Sequence, residues 1–120
     1  MNNIQISKNF KLKEFECSHG GSVVKLDSKL LEKLQLLRVK LNNPINITSG
    51  YRTLECNKRV GGSSNSYHMK GMAADIYSPG YTPTQIAKAA EEVGFTGIGT
   101  YSNFVHVDVR PNKYHFKGGY

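Results

Sequence analysis

Ser66-Tyr67-His68-Met69-Lys70-Gly71-Met72-Ala73-Ala74-Asp75 leads into a strand pattern, Ala73 to Ser78, and Phe104-Val105-His106-Val107-Asp108-Val109-Arg110 forms a second one. Side chains alternate across a strand. Val105, Val107 and Val109 therefore share a face that belongs in a core, and Phe104, His106, Asp108 and Arg110 share the other. In the first strand Ala74 and Ile76 oppose Ala73, Asp75 and Tyr77. An unpaired buried carboxylate is costly, so Asp75 must be paired, hydrogen-bonded or metal-bound. Two imidazoles, His68 and His106, and one carboxylate, Asp75, make the ligand set of a zinc site with one position left open. With His68 in the loop before the first strand, the three can converge from one loop and two strands.

Around these strands the chain reads as alternating helices and strands. Asp27 to Leu41 is the clearest helix: Asp27 suits the N-cap, and Leu30, Leu31, Leu34, Leu37, Val39 and Leu41 recur mostly at helical spacing. Asn42-Asn43-Pro44 ends it. Ile45 to Ser49 alternates as a half-buried strand. Thr53 to Val60 reads as a short Thr-capped helix, and Gly61 to Asn65 as a Gly/Ser loop. Thr82 to Val93 is a second strong helix, with Thr82 and Gln85 as a capping box and Pro83 at the first helical position. Ile86, Ala89, Ala90 and Val93 form its buried stripe, and Gly94 stops it. Gly97 to Tyr101 and Phe104 to Arg110 read as a hairpin across Ser102-Asn103. Asn9 to Gly21 and the tail Pro111 to Tyr120 read as irregular. The fold class expected is α+β: a single domain over 1–120, with its core at about 10–110 and a small antiparallel sheet flanked by helices.

At 120 residues the chain fits one domain and not two. No apolar run approaches bilayer length, so membrane insertion is not expected. The net charge of +7 favours anionic partners. The basic residues are spread out, with a dense tract only at Lys8 to Lys13, and no nucleic-acid motif accompanies them. An anionic polysaccharide or peptide is the better partner, and a monomer the expected state. Cys17 and Cys56 are too few for a disulfide framework. They read as free thiols, a bridge between them not being deducible from sequence. Cys17-Ser18-His19 offers too few ligands for a metal, and His19 and His115 read as bystanders.

These residues resemble the zinc D-Ala-D-Ala carboxypeptidase family of peptidoglycan peptidases, in its compact single-domain members. Ser66, His68, Gly71, Ala73 and Asp75 match its Ser-x-His-x-x-Gly-x-Ala-x-Asp pattern. Ser49-Gly50-Tyr51-Arg52 matches its Ser-Gly-Tyr-Arg segment. Asn57, Val60-Gly61-Gly62, Gly97-Ile98-Gly99, Tyr101 and Phe104 to Arg110 also look like the family. The resemblance runs from about Phe10 to Arg110 and implies the fold shared by these peptidases and the hedgehog signalling domains. It implies a zinc held by His68, Asp75 and His106, with water in the fourth position. Arg52 would bind a substrate carboxylate or steady the carbonyl oxygen, tasks that suit a guanidinium fork. Ser66 would lie near the substrate, and Tyr101 could donate to the tetrahedral intermediate.

The general base does not carry over. Many relatives place Glu or Asp three residues before the last ligand histidine, and here that position is Asn103, which cannot take up a proton. Asp108, on the face of His106, is the nearest substitute. It either activates the water or orients a ligand imidazole. The activity expected is hydrolysis of peptidoglycan stem peptides, as a D-Ala-D-Ala carboxypeptidase or an L-alanyl-D-glutamate endopeptidase. The alternative is an inactive zinc-containing module that binds cell wall, for which Asn103 speaks. Met1-Asn2-Asn3-Ile4-Gln5 lacks the pattern of a secretion signal. The expectation is therefore a protein made in the cytoplasm that acts at the wall, either as a phage lysis or tail protein or after non-classical release.

Overall fold

Helix α1, Ser28–Leu41, starts where Asp27 caps it: the carboxylate accepts from the backbone N–H groups of Lys29 and Leu30 at 2.8 and 3.3 Å. It ends at Asn42, whose left-handed backbone (φ 48°) turns the chain. The computed structural model describes residues 4–17, 24–62 and 65–117. Leu30, Leu34, Leu37 and Leu41 form the buried face of α1, while Val39 points outward. Strand β1, Gln5–Ser7, and strand β2, Phe10–Lys11, pair as a small hairpin before it. A 3-10 turn, Leu12–Phe15, follows β2. This ordered segment was expected to be irregular. Its stability comes from Phe10 and Phe15, both buried in the core, rather than from any local periodicity.

The remaining elements are β3 (Asn46–Ser49), α2 (Leu54–Arg59), a 3-10 turn (Tyr67–Lys70), β4 (Ala73–Tyr77), α3 (Pro83–Val93), β5 (Gly97–Thr100), β6 (Val105–Asp108) and β7 (Tyr114–Lys117). Thr53 caps α2 as read from sequence, and Thr82 and Gln85 form the expected capping box on α3. Gly94, at φ 102°, ends α3. Among the described residues no helix is long and apolar enough to cross a membrane.

The five strands run in the order β3-β4-β6-β5-β7. The first three pairings are antiparallel, but β5 and β7 pair in parallel, so the sheet is mixed rather than antiparallel. The tail, expected to be irregular, supplies β7. Its short His/Lys and aromatic alternation carries no aliphatic signal. The strand exists because the free edge of β5 offers backbone partners. A chain that reverses once after β6 must run antiparallel to β6, and so parallel to β5.

The register separates the two faces of the sheet. Ala74 pairs with Val107, Ile76 with Val105, and Ile98 with Val107. This face packs against α1 and α3 through the buried leucines, Ile86, Ala89 and Ala90. Asp75 pairs with His106, Ala73 with Asp108, and Gly99 with both His106 and Phe116. That face carries the polar groups.

Cys17 and Cys56 form a disulfide, which corrects the free-thiol reading. Their 39-residue separation closes only through the tertiary fold. Residues 18–23, including His19, lie outside the described residues, as do residues 63–64 of the Gly/Ser loop.

Leu34, fully buried where α1 meets the core, tests the packing. Leu34→Ala is expected to lower unfolding stability by about 2–5 kcal/mol in urea titration. A loss below about 1 kcal/mol would mean that α1 is not packed as described.

Candidate metal centre

His68 sits in the 3-10 turn that Ser66 initiates, with the Ser66 hydroxyl accepting from the His68 N–H at 3.2 Å. The turn ends at Gly71, at φ 70°, where a Cβ would lie 2.5 Å from the Lys25 carbonyl oxygen. Only glycine fits both the conformation and the approach. The Arg52 N–H donates to the His68 carbonyl at 3.0 Å, which docks the turn on the segment leaving β3. These contacts place His68 above the polar face of the sheet, where Asp75 of β4 and His106 of β6 stand side by side.

The hydrogen bonds fix both imidazole tautomers. His68 Nδ1 lies 2.8 Å from the Gly50 carbonyl oxygen, which can only accept, so Nδ1 carries the proton and Nε2 presents a lone pair. His106 Nε2 lies 2.8 Å from Asp108 Oδ2, so His106 donates there and Nδ1 presents a lone pair. Asp75 Oδ1 is 3.2 Å from His68 Nε2 and 3.1 Å from His106 Nδ1. Three acceptor atoms thus converge, all within 4.8 Å of one another. Such a cluster needs a proton or a cation. Ligand atoms on one tetrahedral zinc stand about 3.3 Å apart when each bond is about 2.0–2.1 Å. The donor set and its spacing fit that ion, and each imidazole already has the outer hydrogen-bond partner that metal-binding histidines use.

The electrostatics show the same convergence. In the metal-free site, where a proton stands between these acceptors in place of a cation, burial would raise the Asp75 pKa, but hydrogen bonding and positive charge at His106 and His68 outweigh it and hold the carboxyl well below the usual range. Burial would lower the His106 pKa, yet its bonds to Asp108 and Asp75 leave it above the ordinary histidine value. Asp108 is fully buried, which would raise its pKa, but Arg110 and His106 hold it well below the usual range. Arg110 reaches Asp108 with Nη2 at 2.6 Å and Nε at 2.8 Å, and its own N–H donates at 3.1 Å. Gly97 leaves the room: a Cβ there would collide with the Asp108 carboxylate.

A cleft of about 460 Å³ opens over His68, Asp75 and His106. It is lined by Arg52, Ser66, Tyr101, Phe104, Arg110 and Phe116, among others. Arg52 Nη2 donates to Asp75 Oδ2 at 3.3 Å, leaving Oδ1 to the imidazoles. Tyr101 stacks on Phe104 with ring centroids 4.3 Å apart. Asp108 does not line the cleft; it lies behind His106, on the ring nitrogen facing away from Asp75. Asn103 lies in the exposed two-residue turn that joins β5 to β6. His115 is on the opposite face of β7, 4.0 Å from Glu91.

Several contributors carried no assigned role in the sequence, among them the Gly50 carbonyl, Ser49, Arg110 and Phe116. A backbone carbonyl has no side-chain signature. Phe116 belongs to a strand that only pairing creates.

A proton on His106 Nδ1 competes with a cation, and the raised pKa carries that competition to higher pH than for a free imidazole. Zinc affinity is therefore expected to fall as pH drops through the His106 value, by up to about tenfold per pH unit for each proton displaced. Chelator-competition titrations of the metal-free protein would show this, and a pH-independent affinity over about pH 6–8 would refute it.

Comparison with known proteins agrees with this geometry. A family model described as Peptidase M15 matches residues 8–108. The chain is 33% identical over 114 residues to the peptidoglycan L,D-endopeptidase MepK of Escherichia coli K12, covering 87% of this chain and 63% of that protein. It is 34% identical over 101 residues to a probable peptidoglycan L,D-endopeptidase MepK of Haemophilus influenzae, covering 76% of this chain and 54% of that protein. It is 43% identical over 67 residues to the zinc D-Ala-D-Ala carboxypeptidase of Streptomyces albus G, covering 55% of this chain and 26% of that protein. The chain thus spans less than two thirds of the length of these relatives. The matched segment holds β4, β6 and the three converging side chains His68, Asp75 and His106, and the chain belongs to the peptidase M15 family.

Proposed function

We propose that this protein is a zinc peptidase that hydrolyses peptide bonds in peptidoglycan stem peptides at the cell wall. The observation that carries the reading is the convergence of His68 Nε2, Asp75 Oδ1 and His106 Nδ1 beneath an open cleft. Relatives named as peptidoglycan L,D-endopeptidases, aligned over 87% of the chain, support the substrate class and favour internal cleavage. The named carboxypeptidase aligns over 55%. The net charge of +7 suits an anionic wall.

His68, Asp75 and His106 would hold the ion. Zinc in that place supplies Lewis acidity, which lowers the pKa of water and polarises a carbonyl. The Arg52 guanidinium, beside Asp75 and facing the cleft, binds a substrate carboxylate or the carbonyl oxygen as negative charge grows there. Ser66 sits at the rim, where its hydroxyl can meet the peptide backbone. Tyr101 lies on the aromatic wall with Phe104 and Phe116, which supports a role in packing against the peptide.

Asp108 orients His106 rather than accepting the water's proton. Its burial, its place outside the cleft and its bonds to Arg110 and His106 all support that role. The inactive-module alternative drew on Asn103, but that residue sits in an exposed turn and the ligand cluster is complete without it.

Digestion of purified muropeptides, read by mass spectrometry, tests the function. Zinc-loaded protein should release fragments cut at one stem-peptide bond, chelation should abolish release, and added zinc should restore it. No cleavage by fully zinc-loaded protein would refute the proposal.

Asp108→Asn separates the two roles of that residue. As an orienting group its change should weaken zinc binding by about 10–100-fold, with turnover recovering at saturating zinc. Turnover lost at full zinc occupancy would instead identify Asp108 as the proton acceptor.

A further inference from the structure

Arg52 is held at three nitrogens. Its Nε donates to Ser49 Oγ at 3.0 Å, Nη1 to Asn57 Oδ1 at 3.3 Å and Nη2 to Asp75 Oδ2 at 3.3 Å. Ser49 and Asp75 belong to the sheet. Asn57 belongs to α2, six residues long and too short to be stable by itself. We propose that Asn57 is a positioning residue for Arg52, and that the Cys17–Cys56 disulfide keeps Asn57 in place to do this. The inference rests on the peptidase reading for what Arg52 does, but not for how Arg52 is held.

The neighbouring contacts make one continuous support. Cys56 immediately precedes Asn57, and its bridge joins α2 to the chain just after the Leu12–Phe15 turn. The same turn supports the arginine segment from the other side: the Tyr51 N–H donates to the Phe15 carbonyl at 2.9 Å. A Cβ at Gly50 would lie 2.7 Å from Phe15 Cα, so these two backbones pack without a side chain between them. Gly62 closes the far side of Asn57. Its N–H donates to the Asn57 carbonyl at 2.9 Å, and a Cβ there would strike the Asn57 side-chain oxygen. Asn57 is left 2% exposed.

The support matters because of what Arg52 would otherwise do. Guanidinium and carboxylate prefer a two-pronged pairing. Here Arg52 touches Asp75 through one oxygen, Oδ2, and leaves Oδ1 facing the imidazoles. The pull of Asn57 on Nη1 opposes rotation onto both carboxylate oxygens. Without it Arg52 turns toward Asp75 and away from the cleft, and displacements of this kind cost rate steeply.

A double-mutant cycle on the zinc-loaded full chain tests this. Asn57→Ala, and separately Cys17→Ser with Cys56→Ser, should each lower kcat/KM on muropeptides by about tenfold or more. In an Arg52→Ala background the same changes should cost less than about twofold, because their effect acts through Arg52. Asn57→Asp, which keeps an acceptor oxygen, should restore most of the rate. Equal losses in both backgrounds would assign these residues to general fold support and overturn the proposal.

A second readout is independent of activity. Exchange of the Arg52 Nε–H, followed by nitrogen-15 NMR, should be slow in the wild type and at least about tenfold faster in the Asn57→Ala and bridgeless proteins. Unchanged exchange would overturn the proposal. An inactive wild type with this exchange pattern would sink the peptidase reading and leave the positioning role standing.

Discussion

The antiparallel pairing of β4 with β6, in the register that sets Asp75 opposite His106, is the constraint on which the other features depend. A strand's side chains alternate with period two, so a slip of one residue would send Asp75 toward the leucines of α1 and expose Ile76. The register is held by what lies beneath it: Ala74 on Val107 and Ile76 on Val105, all fully buried. The apolar face of the sheet therefore specifies the geometry of the polar face.

On that polar face, charge is arranged in nested pairs. Asp108 is balanced by Arg110 and turns His106, while Asp75 is balanced by Arg52 and faces both imidazoles. Each buried carboxylate has a guanidinium of its own, which meets the cost of burying it. The arrangement frees one lone pair on each histidine and one oxygen on Asp75. It gives a reason for the spacing of His106, Asp108 and Arg110 on a single strand and its exit. The even steps put all three on one face, and the arginine anchors the acid that hydrogen-bonds the imidazole.

Much of the helical frame and of the ligand set was legible in the sequence because its causes are local. Asp27, Thr53 and Thr82 each cap the helix that follows, since capping needs only a side chain and the next three amides. The valine alternation around His106 fixed which face that histidine would take. What was illegible depends on partners distant in the chain. β7 owes its existence to the open edge of β5, and the hairpin β1–β2 is secured by phenylalanines that reach a core built later in the sequence. The disulfide joins residues 39 apart, and nothing beside either cysteine announces the other.

By itself, the sequence determined the α+β class and the helix ends, which follow from alternation, helical periodicity and capping within a few residues. The three candidate ligands and the arginine that accompanies them came from motif spacing read together with the resemblance to a peptidase family. Only the tertiary structure decided which nitrogen of each histidine is free, where Asp108 points, what holds Arg52 and how the sheet is completed. Those depend on hydrogen-bond partners and strand edges that meet only once the core has packed.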